Sequence, residues 1–467
     1  MKALVVGGGV SGLAAAVALA EAGVDTELWE AGDRVGGKLR TSPFAGLDAV
    51  DEGADAYLTR VPHGVAFATR IGLDRDDLTA PQPAHAAVWH QRLHDLPGGI
   101  VLGVPAAVRP FVTTGLLSWR GKARAALEPL LPRRAGRRPG DDDTLGALVR
   151  GRFGDEVHER LVDALVGSIY ATDTDRASLA AVPQLAQLAA SHRSLLLGAR
   201  AARRQAPATP VADSSIFAAP RAGMAALATV AAARFVDAGG RLHVNRAAAE
   251  LTADGTGWRV DGEHFDHVVL AAPARATAQL VATAAPATAE LLAGVEYADI
   301  AMVRLAVPAT DWPDRLAGRS GYLVPKPVQR TVTAASFGSQ KWAHWRPADG
   351  SQVLRISLGR DGLPIDALDD DALLDAAVTE TGRHLGLDLQ PTVTSVTRWV
   401  GAFPQYRPHH HDRVAAAEAA LPTGLYLAGA SYHGIGVPAC IASGLKAATQ
   451  VTETNRSSKR VVEADDE

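Results

Sequence analysis

The first thirty residues carry the hydrophobic pattern of a strand, a helix and a second strand. Residues 2–6 form a short apolar run, residues 10–22 are rich in alanine, and residues 25–30 form a second strand pattern. Gly23 follows the alanine-rich segment, where a helix would end. The pattern predicts a βαβ unit at the start of the chain.

Longer blocks of helix and strand patterns follow. Residues 104–205 have helical spacing in several stretches, whereas residues 241–271 have the turn signals of a strand meander. Residues 298–358 contain four strand patterns, and residues 424–447 predict a strand, a turn and a helix. Their order predicts an α/β protein in which a nucleotide-binding domain is built from separate parts of the chain.

Composition and charge exclude several classes of protein. The net charge of -4 argues against nucleic acid as a partner. The single cysteine, Cys440, rules out an intrachain disulfide. No apolar window is long enough to predict a membrane-spanning helix, and three glycines interrupt the first apolar run, so we do not predict a signal peptide. We expect a cytoplasmic protein with at most peripheral membrane contact.

The glycine-rich turn after the first strand has the spacing G-x-G-x-x-G. Gly7 permits a tight turn, Gly9 lets a pyrophosphate approach the backbone, and Gly12 lets helix and strand pack closely. Glu30 ends the second strand, where a carboxylate accepts hydrogen bonds from ribose hydroxyls and repels a 2′-phosphate. FAD or NAD is therefore favoured over NADP. The predicted dinucleotide contacts are Gly7, Gly9, Val10, Ser11, Gly12 and Glu30.

A second glycine pair follows Glu30. The segment from Glu30 to Lys38 resembles the E-A-x-x-R-x-G-G-[KR] signature of the flavin-dependent amine oxidase superfamily. The resemblance implies that FAD is the cofactor and that the arginine and both glycines lie against its pyrophosphate and ribityl chain. It adds Ala31, Arg34, Gly36, Gly37 and Lys38 to the predicted cofactor contacts.

The C-terminal stretch from Gly424 to Pro438 predicts a strand, a glycine-rich turn and a helix. In the resembled superfamily this segment closes the flavin site, and the helix N-terminus faces the pyrimidine edge of the isoalloxazine, where its dipole stabilises negative charge on the reduced flavin. The same resemblance implies that Val244 contacts the adenine through its backbone. This adds Val244, Trp399, Gly429, Gly436 and Val437 to the predicted cofactor contacts.

Four segments, in order along the chain, are similar to runs found in protoporphyrinogen and coproporphyrinogen oxidases, above all the bacterial coproporphyrinogen III oxidases. They are residues 51–58 (E-x-G-x-D-[AS]-[FY]-L), 336–342 (F-x-S-x-K-W), 398–414 (R-W…P-Q-Y…H-x-D-R-V) and 429–440 (A-G-x-x-Y-x-G-x-G-x-P-x-C). The chain departs from the family pattern at two positions. Val61 follows Arg60 where the family has a lysine, and His409 precedes His410 where the family has a glycine.

The resemblance implies a Rossmann-like FAD-binding domain of the glutathione-reductase type, with an inserted mixed-sheet substrate domain and a helical subdomain. The predicted division is 1–80, 206–290 and 396–452 for the FAD-binding domain, 81–103 and 291–395 for the substrate domain, 104–205 for the helical subdomain, and 453–467 for a disordered tail.

The activity implied is oxidation of a porphyrinogen to a porphyrin in haem biosynthesis. FAD takes six electrons two at a time, and oxygen reoxidises it with release of hydrogen peroxide. Coproporphyrinogen III, with four propionates, is favoured over protoporphyrinogen IX, and transient contact with the next haem-pathway enzyme is expected. No catalytic acid or base is assigned. The motifs nominate Tyr57, Arg60, Lys341, Trp342 and Tyr406 as substrate contacts.

Other interpretations remain open. One is an oxidase of the same superfamily that acts on amines or carotenoid precursors, and another is a non-catalytic flavin-binding protein. The adjacent histidines 409–411 suggest metal binding, but successive side chains on a strand alternate faces, so we predict a surface loop and no metal site. Cys440 is predicted to be a packed thiol rather than a flavin attachment point.

Overall fold

Helices and strands alternate along the chain in the computed structural model, which describes residues 1–136, 142–205 and 215–465. The strands are β1 (Lys2–Val6), β2 (Asp25–Trp29), β3 (Thr41–Phe44), β4 (Leu47–Asp51), β5 (Tyr57–Leu58), β6 (Leu78–Thr79), β7 (His85–His90), β8 (Arg92–Asp95), β9 (Ile100–Val101), β10 (Val104–Pro105), β11 (Phe217–Pro220), β12 (Arg241–His243), β13 (Leu251–Ala253), β14 (Trp258–Val260), β15 (Glu263–Phe265), β16 (His267–Leu270), β17 (Tyr297–Val307), β18 (Arg319–Leu323), β19 (Val332–Phe337), β20 (Gln352–Leu358), β21 (Val393–Pro404) and β22 (Leu425–Leu427).

The helices are α1 (Val10–Glu21), α2 (Pro62–Ile71), α3 (Val108–Thr113), α4 (Trp119–Ala126), α5 (Leu145–Phe153), α6 (Asp155–Val157), α7 (Ser168–Tyr170), α8 (Pro183–Ser191), α9 (Leu195–Gln205), α10 (Ala225–Asp237), α11 (Ala274–Leu280), α12 (Pro286–Ala293), α13 (Gly338–Lys341), α14 (Asp370–Leu385), α15 (His410–Ala419) and α16 (Val437–Asp465). A π-helix spans His158–Gly167, and short 3-10 turns span Glu128–Leu130, Leu179–Ala181, Ala309–Asp311, Asp314–Leu316, Lys326–Val328 and Ala343–Trp345.

A parallel sheet of five strands, in the order β12-β2-β1-β16-β22, joins three distant parts of the chain. Ala3 to Val6 are buried because helices and loops cover both faces of the central strand, which explains its continuous apolar run. The carboxyl ends of β2, β1, β16 and β22 meet at one edge of the sheet. The predicted βαβ unit and the α/β fold are confirmed.

Two glycines allow the helices beside this sheet to pack without separation. A Cβ atom at Gly12 would lie 1.9 Å from the carbonyl oxygen of Gly7, and one at Gly444 would lie 2.0 Å from the carbonyl oxygen of Ser11. Helix α1 therefore lies directly on the turn after β1, and α16 lies directly on α1. This packing holds the N-terminal ends of the two helices close to the edge where the strands end.

A second, mixed sheet has the order β21-β17-β20-β19-β18-β7-β8. Its pairs are antiparallel except for β18 with β7, which is parallel. Strand β21 runs from Val393 through Pro404 along β17, so the boundary that we predicted between residues 395 and 396 is wrong. The ladder continues past Trp399, and the C-terminal segment joins the parallel sheet only at β22.

The tail also differs from the prediction. Residues 453–465 of the segment predicted as a disordered tail continue helix α16, and residues 466–467 lie outside the described part of the chain. The Oγ1 atom of Thr454 accepts a hydrogen bond from the Tyr426 hydroxyl at 3.1 Å and donates to the Gln450 carbonyl oxygen at 2.9 Å, so the start of this segment is anchored to β22. No helix within the described residues is both long and apolar enough to cross a membrane.

The helical elements of residues 104–205 pack around their own apolar core and meet the mixed sheet through buried charges. Arg360 forms two hydrogen bonds of 2.9 Å with the carboxylate of Asp163, which lies in the π-helix. Asp163 also accepts from the hydroxyl of Thr174 at 2.6 Å. Arg360 and Asp163 are both buried, so each needs the other for charge compensation.

Replacing Arg360 by glutamine leaves the Asp163 carboxylate buried without its cation. We expect Arg360→Gln to lower the free energy of unfolding by about 3–5 kcal/mol in urea titrations, because an uncompensated buried charge is costly. The matched control is Arg70→Gln, which removes a partly exposed pair with Glu21 and should change stability by about 1 kcal/mol or less. Equal effects of the two substitutions would contradict this account of the interface.

Candidate functional site

Open space lies beside Gly9 in the glycine-rich turn at the carboxyl end of β1, and we call this space the glycine crevice. Gly7 has a φ of +109°, and a Cβ there would lie 2.9 Å from the carbonyl carbon of Ala271, so only glycine fits the turn. Gly9 precedes α1, and no atom lies within 4 Å of the position that its Cβ would occupy. The first N–H groups of α1 lack helical acceptors and face a site with room for an anion.

Glu30 lies beside this turn, at the end of β2. One carboxylate oxygen accepts the N–H of Gly8 at 2.7 Å, and the other accepts the N–H of Gly32 at 2.7 Å. Two backbone donors therefore hold the acid in the position predicted for ribose recognition. Its carboxylate retains further acceptor capacity for hydroxyl groups.

The second glycine pair lies against the first. The N–H of Gly36 donates to the carbonyl oxygen of Gly8 at 2.8 Å, and the Cβ position of Gly37 is 3.4 Å from the Cα of Gly9. Gly36 and Gly37 both have positive φ angles, of 100° and 54°. A side chain at either position would be strained, and it would also narrow the crevice.

Arg34 holds the loop that carries this glycine pair. Its guanidinium donates to the carbonyl oxygens of Val35 and Leu39 at 3.1 Å and of Gly37 at 2.8 Å. The predicted role of Arg34 was a positive charge beside the phosphates, and the structure adds a local one, because these bonds shape residues 34–39. Ala31, between Glu30 and this loop, is exposed.

Lys38 is exposed to solvent, although protein surrounds much of its side chain. Its side chain is solvent-accessible, yet the surrounding protein lowers the pKa of the ammonium by desolvation, and negative charge at Cys440 would oppose that change. Burial raises the pKa of the Cys440 thiol, whose sulfur also contacts the Ser11 hydroxyl. Cys440 is thus a buried thiol, as predicted, in the first turn of α16 and next to Ser11 of α1.

Turns of the C-terminal segment complete the crevice. The N–H of Gly429 donates to the Ser443 hydroxyl at 3.1 Å, and its Cβ position lies 4.0 Å from the Ser11 hydroxyl oxygen. Gly429 therefore approaches the start of α1. The carbonyl oxygen of Gly436 accepts the N–H of Cys440 at 2.9 Å, and Val437 begins α16.

Tyr406 fixes the shape of the turn between Gly429 and Gly436. Its hydroxyl donates to the carbonyl oxygen of Ala430 at 2.7 Å and accepts the N–H of Gly434 at 2.7 Å. Burial raises the pKa of this phenol far above its usual range, so it stays protonated. We predicted Tyr406 as a substrate contact, but its hydroxyl is already committed to the turn.

The predicted loop at the histidine run is wrong, because His410 and His411 begin helix α15, whereas His409 and His411 are exposed as predicted. His410 begins α15, is only 2% exposed, and stacks on the Tyr406 ring at 3.8 Å between ring centroids. Burial lowers the pKa of His410 to about 4, so the ring is neutral at pH 7. It packs against Tyr406 because the chain turns into a helix at this point instead of continuing as a strand.

Three acidic side chains of the segment 51–55 were not recognised as site residues from the sequence. Asp51 accepts the N–H of Met224 at 2.7 Å, before α10, and burial raises its pKa to about 6. Glu52 accepts the Thr397 hydroxyl at 2.9 Å. The sequence signal was the family motif of residues 51–58, which includes Glu52 and Asp55 but does not indicate what they contact.

Asp55 contacts two cationic residues, one from helix α13 and one from strand β20 of the mixed sheet. Its carboxylate lies 2.7 Å from the Lys341 ammonium and 3.0 Å from the Arg355 guanidinium. Burial alone would raise the pKa of Asp55, but these two cations hold it well below its usual range. The Trp342 indole N–H also donates to it at 3.2 Å.

The predicted substrate contacts are therefore placed differently from one another. Lys341 is 24% exposed and paired with Asp55. Trp342 is fully buried and its ring belongs to the core, so its predicted contact with the substrate stays a prediction. Tyr57 is buried beside α2, with a hydroxyl that has no partner among the described residues, and Arg60 is exposed.

Two further predicted cofactor contacts lie at the margins of the crevice. Val244 is exposed, and its neighbours His243 and Asn245 bond through their backbones to Glu30 and Gly32 respectively. The Trp399 indole N–H donates to the carbonyl oxygen of Glu52 at 2.9 Å. Trp399 thus ties the mixed sheet to the segment that follows β4.

A methyl group at Gly9 should separate cofactor binding from folding. Because the space beside Gly9 is open and its φ is -68°, Gly9→Ala should leave the free energy of unfolding of the apoprotein within about 1 kcal/mol of wild type. It should weaken FAD binding at least about tenfold in fluorescence titrations, because the methyl group occupies the pyrophosphate approach. Gly98→Ala, also in open space, is the control and should bind FAD normally.

The hydroxyl of Tyr406 can be tested against that of Tyr57. Tyr406→Phe removes two hydrogen bonds to a buried turn, and we expect it to lower the free energy of unfolding by about 1–3 kcal/mol. Tyr57→Phe removes a buried hydroxyl without a described partner and should be neutral or slightly stabilising. Urea unfolding of both variants checks the difference, and a costlier Tyr57→Phe would argue against it.

The chain is similar over nearly its whole length to known proteins. Residues 10–452 match the family described as flavin containing amine oxidoreductase. A coproporphyrinogen III oxidase of Bacillus subtilis (strain 168) is 30% identical over 462 residues, covering 94% of this chain and 96% of that protein. One from Mycobacterium leprae (strain TN) is 34% identical over 456 residues, covering 94% and 95% respectively. A protoporphyrinogen oxidase of Bos taurus is 26% identical over 494 residues, covering 97% and 99%.

Solved structures agree on the fold. A protein from Exiguobacterium sp. 255-15 superposes with a TM-score of 0.83 at 28% identity, covering 96% of this chain and 98% of its own. Cyclohexylamine oxidase from Brevibacterium oxydans IH-35A superposes with a TM-score of 0.68 at 18% identity, covering 97% and 99%, and supports the fold alone. The superfamily resemblance and FAD as the cofactor are confirmed. The chain belongs to the flavin containing amine oxidoreductase family.

Proposed function

We propose that this protein oxidises coproporphyrinogen III to coproporphyrin III in haem biosynthesis, with FAD as the electron acceptor. The observation that carries the proposal is full-length similarity, at 30–34% identity, to coproporphyrinogen III oxidases of Bacillus and Mycobacterium. That similarity extends over the glycine crevice and over the mixed sheet alike. The proposal therefore includes both the cofactor and the substrate side of the site.

The residues proposed to hold FAD surround the crevice. The start of α1 is oriented for the pyrophosphate, and the Glu30 carboxylate for ribose hydroxyls. The start of α16 is oriented for the pyrimidine edge of the isoalloxazine. The proposed set is Gly7, Gly9, Val10, Ser11, Gly12, Glu30, Ala31, Arg34, Gly36, Gly37, Lys38, Val244, Trp399, Gly429, Gly436 and Val437.

The chemistry of the bound flavin is acceptance of a hydride, and three such transfers convert a porphyrinogen into a porphyrin. The protein supplies position and charge. Lys341 has solvent access and lies, with Arg355, beside the Asp55 carboxylate. We propose that a propionate of the substrate is attracted to this region, with Arg60 as a second, exposed cation and Tyr57 in the apolar wall.

Reoxidation by oxygen with release of hydrogen peroxide is the proposed second half of the cycle. Each two-electron oxidation of the substrate then consumes one oxygen molecule, so three peroxides accompany one porphyrin. The cytoplasmic location, at most peripheral membrane contact, and transient contact with the next haem-pathway enzyme stay predictions from the sequence.

Protoporphyrinogen IX is the second candidate substrate, because the Bos taurus relative is named as its oxidase. It keeps two propionates where coproporphyrinogen III has four. Relatives named for coproporphyrinogen III reach 34% identity with this chain, against 26% for the Bos taurus protein. We therefore place coproporphyrinogen III first.

Anaerobic mixing of the FAD-loaded protein with each porphyrinogen tests the proposal directly. We expect the visible flavin absorption to bleach rapidly with coproporphyrinogen III and slowly with protoporphyrinogen IX. The reverse order would transfer the assignment to protoporphyrinogen IX. Bleaching by neither compound would refute both, and amines and polyenes would be tested next.

A Lys341→Met variant isolates the substrate side. Loss of one cation near a propionate should weaken substrate binding about tenfold, seen as a higher porphyrinogen concentration for half-maximal bleaching. FAD binding serves as the internal control and should be unchanged. Unaltered substrate dependence would remove Lys341 from the proposed site.

A further inference from the structure

A polar cavity of about 360 Å³ lies between the β3–β4 hairpin and strand β21. The residues that line it are different from those that surround the glycine crevice. Three arginines and three hydroxyl groups contribute to its wall: Arg40, Arg304, Arg398, Ser42, Ser395 and Thr397. Side chains of this kind donate hydrogen bonds to oxyanions, and arginine can do so with two parallel bonds.

Arg304 is the unusual member of this wall, because it is a cation at only 3% exposure. Its guanidinium donates to the Val50 carbonyl oxygen at 3.1 Å and to the Ser395 hydroxyl at 3.0 Å. The Nε–H group is buried and has no acceptor among the described residues. A buried guanidinium with an unused donor is costly unless an anion compensates it.

The carboxylate nearest to Arg304 compensates it poorly. Glu52 lies 3.6 Å from Arg304, but it also lies 3.0 Å from Arg40 and accepts the Thr397 hydroxyl. Burial lowers the pKa of Arg304 and the charges of Arg355 and Arg40 act in the same direction, whereas Glu52 and Asp51 oppose the change. Glu52 is the carboxylate that lines the cavity, and it serves both Arg40 and Arg304, whereas the third arginine, Arg398, is paired with Asp370 at 2.6 Å.

An adjoining cavity of about 470 Å³ shares Arg304 and Ser395 and has a more apolar wall, in which Phe44, Leu47 and Val393 take part. The guanidinium of Arg304 lies 4.8 Å from the centroid of the Phe44 ring, at the junction of the two cavities. Asp48 is the acidic residue of this second part. The two spaces together present a cationic end and an apolar end.

We propose that this double cavity binds an organic carboxylate, a ligand distinct from the flavin and from the proposed porphyrinogen at the crevice. The carboxylate meets Arg304 and Arg40, and its apolar body lies on Phe44 and Leu47. Inorganic anions would satisfy the cationic end alone. A carboxylate with a short hydrocarbon chain satisfies both ends, so it is the preferred class.

Glu52 connects this cavity to the segment beside the glycine crevice. The side chain of Glu52 lines the cavity, while its carbonyl oxygen accepts the indole N–H of Trp399. An incoming carboxylate competes with Glu52 for Arg40 and Arg304. Ligand binding is therefore coupled to the segment that leads to Asp55.

Calorimetric titration of the FAD-loaded protein with hexanoate tests the proposal without any turnover. We expect saturable binding with a dissociation constant on the order of 1 mM at fixed ionic strength. Hexylamine has a similar apolar body and the opposite charge, and it should not bind. Inorganic phosphate should bind more weakly than hexanoate, because it leaves the apolar end unfilled.

Substitutions locate the binding. Arg304→Gln and Arg40→Gln should each weaken hexanoate binding at least about tenfold. Arg40 is half exposed, so its variant carries the test if Arg304→Gln fails to fold. Arg259→Gln, at an exposed arginine on β14, is the matched control and should bind as wild type does. The proposal would be overturned if hexanoate binding did not saturate, or if hexylamine or phosphate bound as tightly as hexanoate. Full hexanoate affinity in Arg40→Gln would overturn it as well.

Discussion

The close approach of helix α1 to the turn after β1 is the constraint on which the site depends. There is no room for a side chain between Gly12 and the carbonyl oxygen of Gly7, or between Gly444 of α16 and Ser11. Because the helices lie this close, the first N–H groups of α1 point into the crevice at the carboxyl edge of the sheet. The space left open beside Gly9 exists for the same reason.

A second constraint joins this frame to the mixed sheet. One short segment carries three carboxylates that contact different parts of the fold. Asp51 bonds to the start of α10, Glu52 contacts β17 and β21, and Asp55 contacts α13 and β20. Each carboxylate is held by donors or cations, which is the condition for burying acids. Folding of the two sheets is thereby coupled at the point where the cofactor and substrate regions meet.

Local spacing was enough to predict the nucleotide end of the protein. The interval between Gly7 and Gly12, and the position of Glu30 after a second strand, have a direct steric and hydrogen-bonding meaning that does not depend on the rest of the chain. The substrate end was harder to predict. Trp342 matched a motif but lies in the core, and Tyr406 uses its hydroxyl to hold a turn, because the packing around each ring involves residues far away in sequence.

The sequence alone therefore determined the α/β class and the glycine-rich turn, since these follow from short-range periodicity and spacing, and it indicated the family through the resemblance of its motifs to those of known flavoproteins. Tertiary structure decided the partners of charged groups. Asp55 pairs with Lys341 and Arg355, Asp163 pairs with Arg360, and Arg304 shares Glu52 with Arg40. It also decided that β21 continues past the predicted boundary and that His410 is buried. Pairing across hundreds of residues depends on how sheets and helices meet in space, and that is not encoded in any local pattern.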